Sequence, residues 1–392
     1  MIMRYPITPA GGEDFRQAAK RRLPRALFDY IDGGAFAEQT AHANVHSFSR
    51  WRLQQRVLRD VEHINLAVNR LGQSYAAPLA LGPVGLAGMM ARRGETQAYR
   101  AAQQEHIPFC ASTVSLCGIN EIHQHRDTQP AWFQLYMMRD REFAAQLLDR
   151  VQAQGVEVLV VTVDLAVLGV RYRDVRNGFE SSTGLAKLRR FYDFVSHPQW
   201  LWDVGLKGGP HVFGNLTDAV PNARQLTDFK SWVDAQFDPR VTWDDIAWIR
   251  SRWPGKLVVK GILHSDDALQ AVKVGADGLI ISNHGGRQLD GAPCPIDILP
   301  EIHQHLLNQG CRDRIELWLD GGLRNPQDLL IALALGADGG LLGRAWIYAL
   351  AGYGEFGVTQ LLKQWQKALS VSLALMGCND INQLNESHLI RS

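Results

Sequence analysis

The 392-residue sequence predicts one α/β domain: a (β/α)8 barrel with an N-terminal helical extension and a long insertion after strand four. Three observations lead there. Eight short apolar runs recur along the chain and are rich in Val, Ile and Leu without strict alternation, the pattern of parallel strands buried on both faces. Amphipathic stretches follow most of them. The phrases "VKVGADGLIIS" and "LALGADGGLLG" repeat one helix–turn–strand unit. Eight such units match the TIM-barrel count, with a doubly wound open sheet as the competing topology.

The strands are expected at Pro78–Gly85, Pro108–Thr113, Ala131–Met138, Val158–Asp164, Lys256–Ile262, Gly278–Gly285, Arg314–Gly322 and Gly339–Arg344. Helices are expected at Gly94–Gln104, Arg141–Gln154, Asp266–Val274 and Pro326–Leu335. Asp266 and Asp328 near helix starts suit the helix dipole, and Gly275 and Gly336 suit helix stops. Residues 1–77 form the extension, in which Leu23–Gly34 reads as a helix ended by Gly33-Gly34. The barrel spans 78–350, the insertion 176–243, and a helical segment 351–392 closes the chain.

Composition removes several classes. A net charge of +1 draws the chain to neither nucleic acid nor an acidic surface. Five cysteines without a C-x-x-C argue for a reducing compartment rather than a disulfide scaffold. Met1–Lys20 has no apolar run of the secretory kind. The charge-free stretch Leu71–Ala91 is long enough to span a bilayer, but Pro78, Gly82, Pro83, Gly85 and Gly88 interrupt it. Within the insertion, basic Lys187, Arg189 and Arg190 stand beside Phe191, Tyr192, Phe194, Trp200 and Trp202. This mixture suits a membrane interface equally with an active-site lid or a subunit contact.

Barrel chemistry gathers at the C-terminal ends of the strands. There the sequence places Ser112, Gln134, Tyr136, Thr162, Asp164, Lys260, Ser282, His284, Arg287, Asp320, Gly321, Gly322, Arg324, Gly343 and Arg344. "LDGGLR" and "LLGR", after strands seven and eight, combine glycine amides with arginines and read as a phosphate site. His284, between an apolar strand and Gly285-Gly286, is the candidate base, and Asp164 could stabilise its imidazolium. Arg171 and Arg287 point to an anionic substrate, most simply a carboxylate. Tyr30 and Tyr136 could contact that substrate or simply pack. Lys260 could form a Schiff base, as in an aldolase, or act as a fixed cation. His123, His125, His303 and His305 read as solvated faces, and no metal site is expected.

Together, "FDYIDGGA", "WFQLY", "TVD", "VVKG", "SNHGGRQLDG", "LDGGLR" and "ALGADGGLLGR" resemble the FMN-dependent 2-hydroxy-acid dehydrogenase and oxidase family, in the same order over nearly the whole chain. "PVGLAGMMARRGE", "HPQWLWDVGL" and "DPRVTWDDIAWIR" look most like its membrane-associated branch, the bacterial respiratory L-lactate dehydrogenases and mandelate dehydrogenase. The resemblance implies FMN as cofactor. It implies His284 as base with Asp164 beside it, and Tyr136 in a catalytic and substrate-binding role. Tyr30, Arg171 and Arg287 would bind substrate. Pro83, Val84, Gly85, Ser112, Gln134, Thr162, Lys260 and Ser282 would surround the flavin, with Lys260 as the fixed cation, and Asp320–Arg324 with Gly343-Arg344 would hold its ribityl phosphate. It further implies oxidation of L-lactate to pyruvate, electrons passed to quinone, and a homotetramer attached peripherally to the cytoplasmic side of the bacterial inner membrane. L-Mandelate dehydrogenation, or oxidation of another L-2-hydroxy acid with oxygen, is the alternative. Val114 stands where glycolate oxidases carry tryptophan, so no glycolate preference carries over.

Overall fold

The computed structural model describes all residues except 1–7, 128, 178–183, 221–231, 233–234 and 392. Eight parallel strands form the central sheet: β1 Leu79–Leu81, β2 Cys110–Ser112, β3 Trp132–Tyr136, β4 Val158–Thr162, β5 Lys256–Ile262, β6 Gly278–Ile281, β7 Glu316–Leu319 and β8 Gly339–Leu342. From β2 to β8 each strand pairs with its neighbours in chain order, and β8 pairs with β1. A bridge between Leu81 and Phe109 completes the ring, giving a closed (β/α)8 barrel. No edge is left to solvent, which is why whole strands such as Val158–Thr162 can be buried and apolar.

The helices used below are α1 Gly12–Arg22, α2 Arg25–Asp32, α3 Gln39–His46, α4 Gly94–Gln104, α5 Arg141–Ala153, α6 Tyr172–Arg176, α7 Gly184–Val195, α8 Ser265–Lys273, α9 Pro295–Asn308, α10 Pro326–Ala334 and α11 Arg344–Met376. Inside the barrel, Trp132 and Trp318 meet edge to face with ring centroids 5.2 Å apart. Gly339 faces the Trp318 ring, where a Cβ would come within 2.4 Å. Glycine in β8 is therefore a packing requirement of that indole.

Several expected boundaries shift. The strands expected at Pro78–Gly85 and Arg314–Gly322 shorten to β1 and β7, because the residues after them leave the ladder to line a cavity. The helix expected at Leu23–Gly34 is the second of two: Leu23 ends α1, Pro24 starts α2, and the helix stops at Asp32. After β8, α11 runs on from Arg344 and bends at Gly354, where φ is 64°. His123 and His303, expected on solvated faces, are half-buried and engaged. His123 bonds the Gln154 carbonyl and accepts from the Ala131 amide, and His303 accepts from Arg312. All five cysteines are free and buried. Among the described residues, no helix is long and apolar enough to cross a membrane.

The insertion divides its residues between two faces. Trp200, Val204, Phe213 and Leu216 are buried, and the Trp200 indole donates to the Met89 carbonyl at 2.8 Å. Leu188, Phe191, Tyr192, Trp202 and Leu206 are 52–68 % exposed. The side chains of Lys187, Arg189 and Arg190 lie outside the described residues. At the other end of the barrel, Gly336 follows α10 with φ 103°, and a Cβ there would lie 2.5 Å from the His303 ring. Gly336→Ala is expected to cost about 1–3 kcal/mol in urea unfolding with an unchanged m value.

Candidate active site

The barrel mouth opens into a cavity of about 260 Å³. The ends of β3, β4 and β5 and the loops after the other strands and β4 bring the candidate residues to it, and the N-terminal extension adds Tyr30 and Ile31 from α2. The sequence-predicted residues on its wall are Tyr30, Pro83, Val84, Gly85, Tyr136, Thr162, Arg171, Lys260, His284, Arg287, Asp320, Gly321, Gly322, Arg324, Gly343 and Arg344. Asp164 reaches it through His284. Ser112, Gln134 and Ser282 are fully buried and do not line the cavity. The Ser112 hydroxyl donates to Gln134 Oε1 at 3.1 Å. Ser282 Oγ accepts from Lys260 Nζ at 2.8 Å and from the His284 amide at 3.0 Å.

Backbone geometry sets the imidazole. His284, Gly285 and Gly286 all have positive φ, at 58°, 65° and 74°. A histidine in the left-handed region is strained, and here it turns the side chain back over the mouth. His284 Nδ1 lies 2.8 Å from Asp164 Oδ1. Burial acts most strongly to raise the Asp164 pKa, but the charges of His284 and Lys260 together hold it below the usual carboxylate range. Asp164 is therefore an anion, able to orient a neutral imidazole and to stabilise a protonated one.

Lys260 is 4 % exposed and lies 3.1 Å from Asp320 and 4.0 Å from Asp164. Burial works hardest against its charge, yet Asp320 and Asp164 raise its pKa above the ordinary lysine value. It remains an ammonium at neutral pH and has no lone pair to attack a carbonyl, so the Schiff-base reading is set aside. A bulge in β5 beside Gly261, with φ 112°, permits this packing, because a Cβ there would lie 2.6 Å from Asp164 Cβ.

Four guanidiniums converge at the mouth in two pairs. Arg171 and Arg287 lie 5.9 and 5.1 Å from the Tyr30 ring centroid. Burial first, and then the charge of Arg171, push Arg287 down to about 9. Burial and then Arg344 push Arg324 down to about 10. Like charges buried together call for anions between them. Arg344 also does something the sequence did not suggest. It donates to the carbonyls of Asp32, Gly33 and Gly285, at 3.2, 2.7 and 2.8 Å. One N–H on each of its terminal nitrogens stays available for an anion. Tyr136 is held protonated, its pKa raised by burial and then by Asp164, so its hydroxyl can donate.

Buried polar atoms on the cavity wall and behind it lack a hydrogen-bond partner in the protein: Gln134 Nε2, Thr162 Oγ1, Asp164 Oδ2, Arg171 Nε and Asp320 Oδ1. Gly343 caps α11, and a Cβ there would meet nothing within 4 Å. A helix start flanked by Arg324 and Arg344 suits a phosphate. Gly85 approaches Val114 so closely that a Cβ would lie 2.8 Å from Val114 Cγ2. A cavity with apolar side chains beside hydrogen-bond donors, and with Arg324, Arg344 and the start of α11 on its wall, suits a flavin mononucleotide. Sequence reasoning did not select the apolar wall: Leu86, Leu165, Leu168, Phe213, Phe237, Leu323, Leu341 and Ile347. Phe213 and Phe237 come from the insertion, and no local pattern distinguishes them from core residues.

Fold and site together define a (β/α)8 enzyme that holds a phosphate-bearing cofactor beside an anion-binding pocket. The sequence profile of the FMN-dependent dehydrogenases matches residues 19–391. The L-lactate dehydrogenase of Chromohalobacter salexigens is 47 % identical over 377 residues, covering 96 % of this chain and 94 % of that protein. That of Acinetobacter baylyi is 46 % identical over 381 residues, covering 97 % of each. Among solved structures, the monotopic membrane protein (S)-mandelate dehydrogenase superposes with a TM-score of 0.91 at 35 % identity, over 98 % of this chain and 100 % of that one. A mandelate oxidase superposes with a TM-score of 0.82 at 32 % identity, over 97 % and 98 %. The chain belongs to the FMN-dependent dehydrogenase family, and its cofactor is FMN. Arg324→Gln is expected to weaken FMN binding by about tenfold or more, read as flavin fluorescence released on dilution.

Proposed function

We propose that this chain oxidises L-lactate to pyruvate, with His284 as the base and a membrane quinone as the electron acceptor. The carrying observation is the His284–Asp164 contact at 2.8 Å on a mouth where Arg171 and Arg287 also meet. L-Lactate is favoured because relatives 45–48 % identical over nearly the whole chain are L-lactate dehydrogenases.

Bound FMN supplies the two-electron acceptor. Arg171 and Arg287 hold the substrate carboxylate, and their fixed forks set the orientation of the substrate carbon. His284 Nε2, left open by the Nδ1 contact, takes a proton from the substrate, and Asp164 stabilises the resulting imidazolium. The Tyr136 hydroxyl donates to a substrate oxygen. Lys260, on the cavity wall, would supply a positive charge that favours the reduced, anionic form of the cofactor. Val114, Leu168, Phe213 and Phe237 leave an apolar wall for the substrate side chain. Oxidation of L-mandelate is the second reading, supported by the structural likeness to (S)-mandelate dehydrogenase.

Anaerobic mixing with L-lactate, D-lactate, glycolate and L-mandelate tests the substrate. L-Lactate is expected to bleach the flavin fastest; faster bleaching by L-mandelate would establish the second reading. His284→Gln should keep FMN and fold, yet bleach about 10²–10⁴-fold more slowly. Bleaching at the native rate would remove the base assignment. Reoxidation by a soluble quinone is expected to outpace reoxidation by air.

Peripheral membrane attachment is part of the same proposal. The outward face of the insertion supports it: Leu188, Phe191, Tyr192, Trp202 and Leu206 are exposed, and the Lys207 ammonium lies 4.5 Å from the Trp202 ring centroid. Apolar side chains with a snorkelling cation suit a lipid headgroup layer. Deleting the insertion would be a poor test, because Phe213 lines the cavity and Asn215 donates to the Ser112 carbonyl at 3.1 Å. Replacing Phe191, Tyr192, Trp202 and Leu206 with serine should instead move the protein from the membrane to the soluble fraction with FMN retained. Unchanged partition would count against this face.

A further inference from the structure

The Asp32 carboxylate, on the last turn of α2, is 6 % exposed and wholly engaged by the protein. Arg16 donates to it from Nε at 2.6 Å and from Nη2 at 3.0 Å. Arg173 Nη1 donates at 2.8 Å and the Tyr348 hydroxyl at 2.7 Å. These partners lie on α1, α6 and α11, so one carboxylate pins three helices to the end of a fourth.

The backbone around Asp32 then faces the site. The carbonyls of Tyr30 and Gly33 accept from Arg287 Nη1 at 2.6 and 2.9 Å. Those of Asp32 and Gly33 accept from Arg344. A span of four residues therefore seats one guanidinium of each pair at the mouth. The helices repeat the link: Arg173 is two residues beyond Arg171, and Tyr348 is one turn beyond Arg344. Gly33 and Gly34 allow the close approach, since a Cβ on Gly33 would lie 2.7 Å from the Asp29 carbonyl oxygen and one on Gly34 2.9 Å from that of Gly286.

We propose that Asp32 is a positioning residue that couples the two anion sites, so that seating the cofactor phosphate and seating the substrate carboxylate favour one another. This rests on Arg287 holding the substrate carboxylate, as proposed above, and on Arg344 holding the cofactor phosphate. The coupling works through shared position: either anion draws its arginine into place and with it the carbonyls of residues 30–33, which present the other arginine. Removing the charge from Asp32 frees that span while leaving both arginines in the chain. Arg173 keeps Glu38 at 2.5 Å and Asp29 at 3.6 Å, so it is not stranded.

The test uses Asp32→Asn with two binding measurements that need no turnover. FMN affinity of the apoprotein is read by quenching of flavin fluorescence, and pyruvate affinity of the oxidised holoenzyme by the flavin difference spectrum. Both are expected to weaken by about tenfold; saturating pyruvate is expected to tighten FMN retention in the native chain and not in the variant, and no tightening in the native chain would overturn the coupling. Asp32→Glu should restore part of both affinities. A lowered melting temperature with both affinities within about twofold of native would show a merely structural residue and overturn the proposal. Arg287→Lys and Arg344→Lys separate the two levels. If neither weakens binding of its own anion, the assignment of the arginines fails and the proposal with it. If both do and Asp32→Asn does not, only the proposal fails. Should Asp32→Asn not fold, Tyr348→Phe removes one of the four hydrogen bonds without stranding a charge. It should weaken both affinities by about threefold, and no change in either would overturn the coupling.

Discussion

Positive charge is concentrated at one end of the barrel, out of bulk water, and most of the local architecture follows from keeping it there. Lys260 is neutralised from inside by Asp320 and Asp164, a permanent arrangement that leaves it charged. The arginines are treated differently. Arg287 and Arg344 spend donors on backbone carbonyls, which orient a guanidinium without cancelling its charge. Arg287 and Arg324 have their pKa values pulled down by burial and by a neighbouring cation. A site of this kind is held ready for anions, and its unsatisfied charge becomes binding energy when they arrive.

Holding those guanidiniums in place demands structure from outside the barrel. The N-terminal extension provides it by laying α2 and the Gly33-Gly34 turn across the mouth, where the Ala35 amide donates to the Gly286 carbonyl at 2.8 Å. Gly286 meets α3 so closely that a Cβ would come within 2.5 Å of the Ala41 amide nitrogen. The loop that carries His284 is thus clamped by the extension, which accounts for a non-glycine residue remaining at positive φ. The extension is a wall of the active site as much as a preface to the barrel.

The insertion has two faces with separate tasks. Its inner face packs Trp200 on the first barrel loop and ties Asn215 into the second, next to Val114. Asp193, on α7, accepts from the backbone amides of Arg25 and Ala26 at 3.0 and 3.2 Å and so caps α2. Its outer face shows aromatic and aliphatic side chains to solvent. A surface that meets lipid through these residues would be joined mechanically to the walls of the cavity.

Barrel topology and most polar residues of the cavity wall could be read along the chain, because each depends on short-range pattern. Fully buried strands need continuous apolar runs, helix stops need glycine at Gly275 and Gly336, and a site for phosphate, as proposed for the loops after β7 and β8, needs glycines beside arginines. The apolar wall was not legible, since Leu165, Phe213 and Phe237 resemble any core side chain until the fold aims them at the cavity. Nor was the task of Asp32, whose partners are 16, 141 and 316 positions away. By itself the sequence determined the barrel, the order of its loops and the chemical groups each loop carries. Only the tertiary structure decided which guanidiniums are left open to anions, that Lys260 is locked as a cation, and which insertion residues turn inward. Those outcomes depend on distances between charges and on burial, and both are set by segments that meet only after the chain has closed on itself.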